Sequence, residues 1–553
     1  MGALLRRLRS VGDYIGQHGW RYTLLRAGQK LGERVLHTGD RAWRDAMPGA
    51  AELQRQRENP PDAGLISVII PVYNTQPDLL DALGESLLAQ TYPRWEACLY
   101  DGMSTREDTI RALDALAGRD RRFVVRHGAE NLGIAGNTNL AAGMAQGQWL
   151  VLCDHDDVLS PEALWQVARA IEAEAPDMIY SDEDKITEDG RWHTDPHYKP
   201  DFCPDNLRSG NYICHLMAMR RTVLDRVGGL RSDFDGSQDH DLALRIAEVT
   251  DRILHVPHTL YHWRTVGSSM SHQHLERCLD AGARAVQEHM SRIGWPGRAE
   301  VAGGCIRLHY DVDEQATVRA IILGDDAAAC RAALEKCRWS GLTVQCVASG
   351  TATRYADINA AARAATEDYL LVLDASCVPA GEGFIRELLM YAQRDDVGVV
   401  SPVMTDRRGR VTHAGFAVGM DGFARCRQQG IPLKSGGWHM QLRTSHNVAA
   451  VSAGCFMIRR DHFAPICEDW RSGLGAVDWC LALLKGGKRH VVTPHATAIC
   501  ENRRLLLLNE APQEDIIRIH ARWPGAKDPC YSDRYSNKRA DYKIVRSTKK
   551  AVE

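Results

Sequence analysis

The stretch WLVLCDHDDVLS, Trp149 to Ser160, decides how this chain is read. Its apolar opening is that of a buried strand, yet it runs directly into Asp154, Asp156 and Asp157. Three like charges so close together repel one another unless a cation or a set of donors neutralises them. A solvated acidic loop is one reading. A divalent-metal site is the other, since hard cations such as Mg2+ or Mn2+ favour carboxylate oxygens.

The surroundings bear on that choice. Upstream, LISVIIPVYN reads as a buried parallel strand closed by Pro71, QPDLLDALGESLLAQ has helical spacing, and WEACLYD is a second strand. FVVRHG, the small-residue helix AGNTNLAAGMAQG and WLVLCD continue the alternation. Strand and helix repeated in this way predict an α/β sheet with helices on both faces. Ligands bind such sheets at the carboxyl ends of the strands. Asn74, Asp101 and the Asp154 cluster all stand at those ends and are expected to converge. A second run of the same kind begins near Val318 and reaches YLLVLDASCVP, so the chain holds two related α/β units, 64–300 and 316–510. Residues 1–60 read as a helical segment and 511–553 as a C-terminal extension.

At 553 residues, two or three domains are expected. Hydrophobic content of 44% with 25% charged residues is that of a soluble globular protein, and a net charge of −3 argues against general affinity for nucleic acid. Sixteen cysteines, scattered singly without zinc-ligand spacing, predict reduced thiols in a cytoplasm. No apolar run approaches the roughly 18–20 residues that cross a bilayer, and the N-terminus lacks the apolar region of a secretion signal. Residues 1–30 hold six basic groups against Asp13, with Leu4, Leu5, Leu8, Val11 and Ile15 at helical spacing. Such a helix either rests on an anionic membrane surface or packs on its own protein. The tail from Lys538 is also basic and is expected to be flexible.

In order along the chain stand ISVIIPVYN, DGMST, ENLGIAGNTN, CDHDD, YSDEDKI, HYKPDFCPDNL, GSQDHDLALRI and HVPHTLYHWR. Together they resemble the inverting glycosyltransferases of family 2, with a GT-A fold, and most of all the bacterial tandem-domain members that build O-antigen or similar rhamnose-containing polysaccharides. The resemblance implies two GT-A-like, Rossmann-like domains with mostly parallel sheets in tandem. It implies a nucleoside-diphosphate sugar donor (dTDP-rhamnose or a UDP- or GDP-hexose), a lipid-linked oligosaccharide or glycan acceptor, and a place at the inner face of the cytoplasmic membrane.

The chemistry explains the residue types. Negative charge grows on the leaving diphosphate, and a metal on its oxygens stabilises that charge. The resemblance assigns the Mg2+ or Mn2+ to Asp154, Asp156 and His262, with Asp157 ordering the loop. The attacking hydroxyl must lose a proton to a carboxylate. Asp239 in GSQDHDL matches the family base, although Gln238 replaces the usual acid, and Asp241 is a carboxylate at a helix start. Pro71, Tyr73, Asn74, Asp101 and Asn139 are assigned to the nucleotide. Thr138 stands where many relatives carry arginine, and turn or cap chemistry is the other reading of Asn74 and Asn139. Asp182, Asp184 and Trp263 are assigned to donor sugar and acceptor.

The second unit loses this set. Aligned on LVLCDHDD and LVLDASC, Asp154 meets Asp374, but Asp156 meets Ser376. Aligned on DLALRI and DWCLAL, Asp239 meets Ala476 and His262 meets Ile499. This unit therefore reads as a non-catalytic copy. A sugar nucleotidyltransferase would need a glycine- and lysine-rich loop after the first strand, and PVYNTQPD is not one. No GxGxxG follows a strand, which disfavours a nicotinamide enzyme. A scaffold with two inactive units is countered by the intact Asp154, Asp156, Asp239 and His262 of the first.

Overall fold

The computed structural model describes residues 38–265, 275–501 and 503–544. The basic segment 1–30 and the end of the tail, 545–553, lie outside the described residues.

Two α/β units stand in tandem. The first holds β1 (Ile66–Val72), β2 (Trp95–Asp101), β3 (Phe123–His127), β4 (Trp149–Leu152), β5 (Val158–Leu159), β6 (Met178–Ile186), β7 (His193–His197), β8 (Met217–Arg220) and β9 (Ile253–Arg264). They form one sheet in the order β3-β2-β1-β4-β8-β6-β9-β5, with β7 on β6. The β-branched and aliphatic side chains of β1 show why it is central. Ile66, Val68, Ile70 and Val72 enter one core, whereas Ile69, with Cys98 and Leu150, enters the other. Period-2 alternation thus buries both faces, as parallel sheets require. Each fully buried Ile or Leu stabilises the fold by about 1.5–3 kcal/mol.

A hairpin, β10 (Gly297–Ala302) and β11 (Cys305–Tyr310), leads to the second unit. That unit contains β12 (Val318–Leu323), β13 (Leu342–Val347), β14 (Tyr369–Asp374), β15 (Val378–Ala380), β16 (Val397–Thr405), β17 (Val411–His413), β18 (Phe416–Met420), β19 (Phe423–Cys426), β20 (His446–Val448), β21 (Cys455–Arg459) and β22 (Arg489–Ile499). Its main sheet runs β13-β12-β14-β21-β16-β22-β15. This is the first order again without the edge strand β3. The register repeats too. Val158 lies opposite His262 and Val378 opposite Ile499, while Asp184 pairs with His262 and Thr405 with Ile499.

The units share one core. The cluster that holds Ile69 and Leu150 continues through Ile306 and Tyr310 into Val399 and Val448. At the junction Asp205 is fully buried, 2.5 Å from Arg394 and 2.8 Å from the Asn447 side-chain nitrogen. The Ser209 hydroxyl donates to the Ser445 carbonyl.

Two expectations change here. The cysteines are not all reduced, because Cys377 and Cys500 form a disulfide across 123 residues. These positions match Asp157 and Trp263 of the first unit. There the Arg264 amide and the Tyr261 hydroxyl hold Asp157 at 2.7 and 2.6 Å, so hydrogen bonds tie the same loop to the same strand. The tail, expected to be flexible from Lys538, is packed as far as it is described. Tyr531, Tyr535, Ala540 and Tyr542 are buried with Tyr198 of the first unit, and the Tyr198 amide donates to the Tyr535 hydroxyl. Aromatic rings outweigh the basic residues between them: Lys538 and Arg539 stay exposed, while the Arg534 guanidinium lies over the Tyr198 ring.

Candidate active site

A cleft of about 610 Å³ opens at the carboxyl ends of β1 and β4. Pro71, Asp154, His215, Asp239 and Trp263 line it on the first-unit side. Asp154 follows β4 on a loop held from behind. The Asp154 amide donates to the Tyr261 hydroxyl, which donates in turn to Asp157. Asp157 is buried, and burial together with the charges of Asp156 and Asp154 holds its carboxyl well above the usual range. It orders the loop, while Asp154 and Asp156 keep side-chain exposures of 48% and 24%.

His215 stands beside Asp154, its Nε2 at 3.5 Å, with Nδ1 3.4 Å from Glu183. Burial works against charge on this imidazole, but the hydrogen bonds and charges of Asp154 and Glu183 outweigh it and hold His215 well above the usual histidine value. Burial likewise opposes the charge on Asp154, and His215 and His155 overcome it, leaving the carboxyl low. Glu183 is also held low, with burial overcome by Lys199, His197 and His215. Asp156 is raised, by burial first and by Asp154 as well. This pair of hard oxygen donors, one raised by burial and by its neighbour's charge, fits a divalent cation.

The structure does not bring His262 to that pair. Tyr261 and Trp263 face His215, with ring centroids 4.6 and 5.9 Å away, so the residue between them faces the other side of β9. There His262 is buried, with Nδ1 2.6 Å from Asp184 and Nε2 2.8 Å from the Ser160 hydroxyl. Asp184 also meets His193 at 2.9 Å, and Trp43 stacks on His193 at 3.8 Å. Among the described residues, these three are the group whose ligand atoms cluster tightly enough for a metal. Every ring nitrogen facing Asp184 already lies at hydrogen-bond distance, so the cluster is satisfied without one.

Asp182, like Asp184, has partners of its own. Asp182 accepts from the Lys199 amide at 2.8 Å and lies 2.9 Å from His255 Nε2, fully buried. Neither aspartate reaches the cleft. Glu183, between them, turns toward His215 and His197. The register shift of β6 against β9 at Ser181–Glu183 accompanies this orientation.

Asp239 sits in the first turn of the helix Gln238–Val249, where the amide dipoles favour a carboxylate. The Asn211 side chain donates to it at 2.7 Å, and it lines the cleft. Asp241 is fully buried between Arg231 and Arg245, a structural ion pair. Of the two acids, Asp239 is the one open to a substrate.

Nucleotide candidates lie at the outer edge. Tyr73 is 44% exposed. Asn74 caps a turn, its side-chain oxygen accepting from the Thr105 and Arg106 amides. Asp101 accepts from the Ser104 amide and lies 2.9 Å from His127 Nδ1, a contact that holds His127 above the usual histidine value. Asn139 is engaged at both ends with the Leu230 backbone, and its neighbour Thr138 lines the cleft instead.

In the second unit Asp374 is held by Arg354 at 2.7 Å and by the Ser376 hydroxyl at 2.5 Å. A guanidinium occupies the charge that a cation would meet in the first unit.

Two parallel-rich α/β sheets in tandem, the first with an acid pair at its strand ends, define the scaffold. Glycosyl transferase family 2 matches residues 67–228 and 316–466, and the chain belongs to that family. The uncharacterized protein y4gI of Sinorhizobium fredii is 31% identical across 91% of this chain and 61% of its own length. The O-antigen biosynthesis protein RfbC of Myxococcus xanthus is 31% identical across 85% of this chain and 40% of its own. The chain thus spans less than two thirds of the length of both relatives. S. aureus TarS 1-349 in complex with UDP-GlcNAc overlaps 41% of this chain and 66% of its own, at 19% identity and a TM-score of 0.35. Among the described residues, no helix is long and apolar enough to cross a membrane.

Proposed function

We propose that the chain transfers a sugar from a nucleoside-diphosphate donor to a hydroxyl of a growing surface polysaccharide such as O-antigen, with inversion at the anomeric carbon. The observation that carries this reading is that Asp154 and Asp239 line one cleft at the carboxyl ends of the sheet. A single displacement needs a stabilised leaving group on one side and a base on the other. Asp239 is the base, oriented by Asn211. Asp154 and Asp156 would hold Mg2+ or Mn2+, which would supply positive charge to the departing diphosphate. In this proposal His215 replaces His262 as the imidazole beside the acids, and Glu183 positions it. Tyr73, Asn74 and Asp101 border the nucleotide, Asn74 and Asp101 by shaping the loop Gly102–Arg106 around it.

The donor is dTDP-rhamnose or a UDP- or GDP-hexose, and the acceptor is a glycan carried on a lipid. The printed name of the Myxococcus relative supports the O-antigen context. The second unit performs no transfer, because Asp374 is tied to Arg354 and the positions of Asp156 and Asp239 are Ser376 and Ala476. The basic segment 1–30 holds the enzyme at the inner face of the cytoplasmic membrane.

Thermal unfolding with UDP, dTDP, GDP and CDP, with and without Mn2+ or Mg2+, tests the reading. A diphosphate at about 100 times its Kd stabilises the native state by about 2.7 kcal/mol. One diphosphate is expected to do so only with metal, and Asp156→Ala is expected to abolish the effect. No stabilisation by any of the four overturns the donor assignment.

A further inference from the structure

The catalytic cleft is not a property of the first unit alone. Its far wall is made by Trp438, His439, Gln441 and Thr444 of the second unit and by Tyr535 and Ser532 of the tail. We infer that this wall is the acceptor subsite and that it takes an uncharged glycan; the inference rests on the glycosyltransferase reading above.

Three observations carry it. The first is the aromatic surface. Trp438 is half-buried, its ring supported edge-on by Tyr535 at 5.8 Å and face-on by Tyr542 at 5.7 Å. His439 is exposed, and its ring lies 4.1 Å from that of His197 across the junction. Pyranose rings present a face of C–H groups and a rim of hydroxyls. Rigid ring faces with neighbouring amide and hydroxyl groups, here Gln441, Thr444 and Ser532, match both.

The second is the backbone that presents them. Gly436, Gly437, His439 and Met440 all have positive φ, at 80°, 66°, 45° and 60°. For His439 and Met440 this is an uncommon conformation, held against its tendency to relax. A Cβ at Gly437 would fall 2.1 Å from the Gln428 side-chain oxygen, which is already receiving the Trp438 amide at 2.7 Å. The Leu442 amide closes the loop onto the Gly436 carbonyl. The loop is therefore fixed in the one arrangement that brings these two rings to the cleft.

The third is charge. Among the described residues, the cleft is lined by no Lys or Arg, and its acids are Asp154 and Asp239, both on the first-unit side. His446 on the far wall is pushed down to about 3 by burial and is neutral. On the far wall itself a phosphate or uronate would find no Lys or Arg side chain at the surface, and the charged imidazole of His215 stands across the cleft, already paired with Asp154 and Glu183. A neutral saccharide meets no such penalty, and the diphosphate of a lipid carrier must stay outside the cleft.

The test applies the labelled full-length protein to an array of defined neutral, uronic-acid-containing, sialylated and phosphorylated oligosaccharides, alongside the nucleotide stabilisation assay. Wild type is expected to bind a subset of the neutral glycans only. Trp438→Ala and His439→Asn are each expected to weaken that binding about tenfold while leaving metal-dependent nucleotide stabilisation unchanged. His439→Asn guards against misfolding, because Asn tolerates positive φ. Binding that is unaffected by both variants, selection of anionic glycans, or no bound glycan at all overturns the inference. Glycan binding that fails in the variants, in a protein no nucleotide stabilises, would uphold the subsite and reject the donor assignment instead.

Discussion

Replacing Asp205 by Asn tests whether the two units are bolted together by a buried charge. Asp205 has no exposed surface and Arg394 has 3% side-chain exposure, with Arg208 at 3.3 Å on the other side. Burial raises the Asp205 carboxyl, but Arg394 and Arg208 more than compensate and leave it well below the usual range. Removing one partner of a buried pair typically costs about 3–5 kcal/mol, because the other charge is left uncompensated. Arg394 keeps Asp396 at 2.8 Å and Asn can still accept hydrogen bonds, so the low end, about 3 kcal/mol, applies here. Unfolding entropy near 60 °C is about 2.1 cal/mol/K per residue, so a cooperative chain of this size loses about 2–3 °C in Tm. Differential scanning calorimetry at pH 7 measures it. Asp205→Asn/Arg394→Met removes both charges and should recover part of the loss. The carboxylate's contribution is present above its unfolded value near 4 and fades as pH falls through the lower folded value, so variant and wild type converge only in strong acid. A Tm change under about 1 °C at pH 7, or a double variant as unstable as the sum of the singles, refutes the reasoning.

Asp239→Asn should retain metal-dependent nucleotide binding and lose transfer by a factor of about 10²–10⁴; near-normal turnover would remove Asp239 from the base role. Asp374→Asn should lower Tm, since Arg354 loses its carboxylate, yet leave transfer per folded molecule intact. Complete loss of activity in that folded variant would give the second unit a catalytic part. His413, His446 and His490 are pushed down by burial to about 3, 3 and 4. The unfolded chain therefore binds protons first, and stability falls from about pH 6.5 downward, by about 1.4 kcal/mol per pH unit for each histidine. A Tm that stays flat from pH 7 to pH 5 would contradict this, and His446→Gln should soften the slope.

The parallel-sheet alternation and the internal repeat were legible in the sequence because each is a periodicity of side-chain type. That Asp154 and Asp239 share one cleft was legible in the sequence, but the imidazole beside Asp154 was not. His262 and Trp263 are adjacent on β9, and adjacent strand residues face opposite ways, so one site cannot hold both. Period-2 reasoning alone separates them. The same reasoning sets Glu183 apart from Asp182 and Asp184, yet only the register shift beside it shows which face meets the cleft. His215 follows no motif. It reaches Asp154 because β8 pairs antiparallel with β4, a contact between segments distant in sequence. Asn74 and Asn139 turned out to serve the backbone, the ordinary use of asparagine in turns.

The tail's return to the first unit also orders events in time. Tyr198 and Tyr535 meet across 337 residues, so one side of the cleft leaves the ribosome long before the other. At about 5–20 residues per second, the first unit waits on the order of tens of seconds for the last strip of its wall. During that interval the part of the cleft wall that Ser532 and Tyr535 supply is missing. On the proposed reading, a chain terminated before Ser532 is expected to lack part of the place shaped for the glycan.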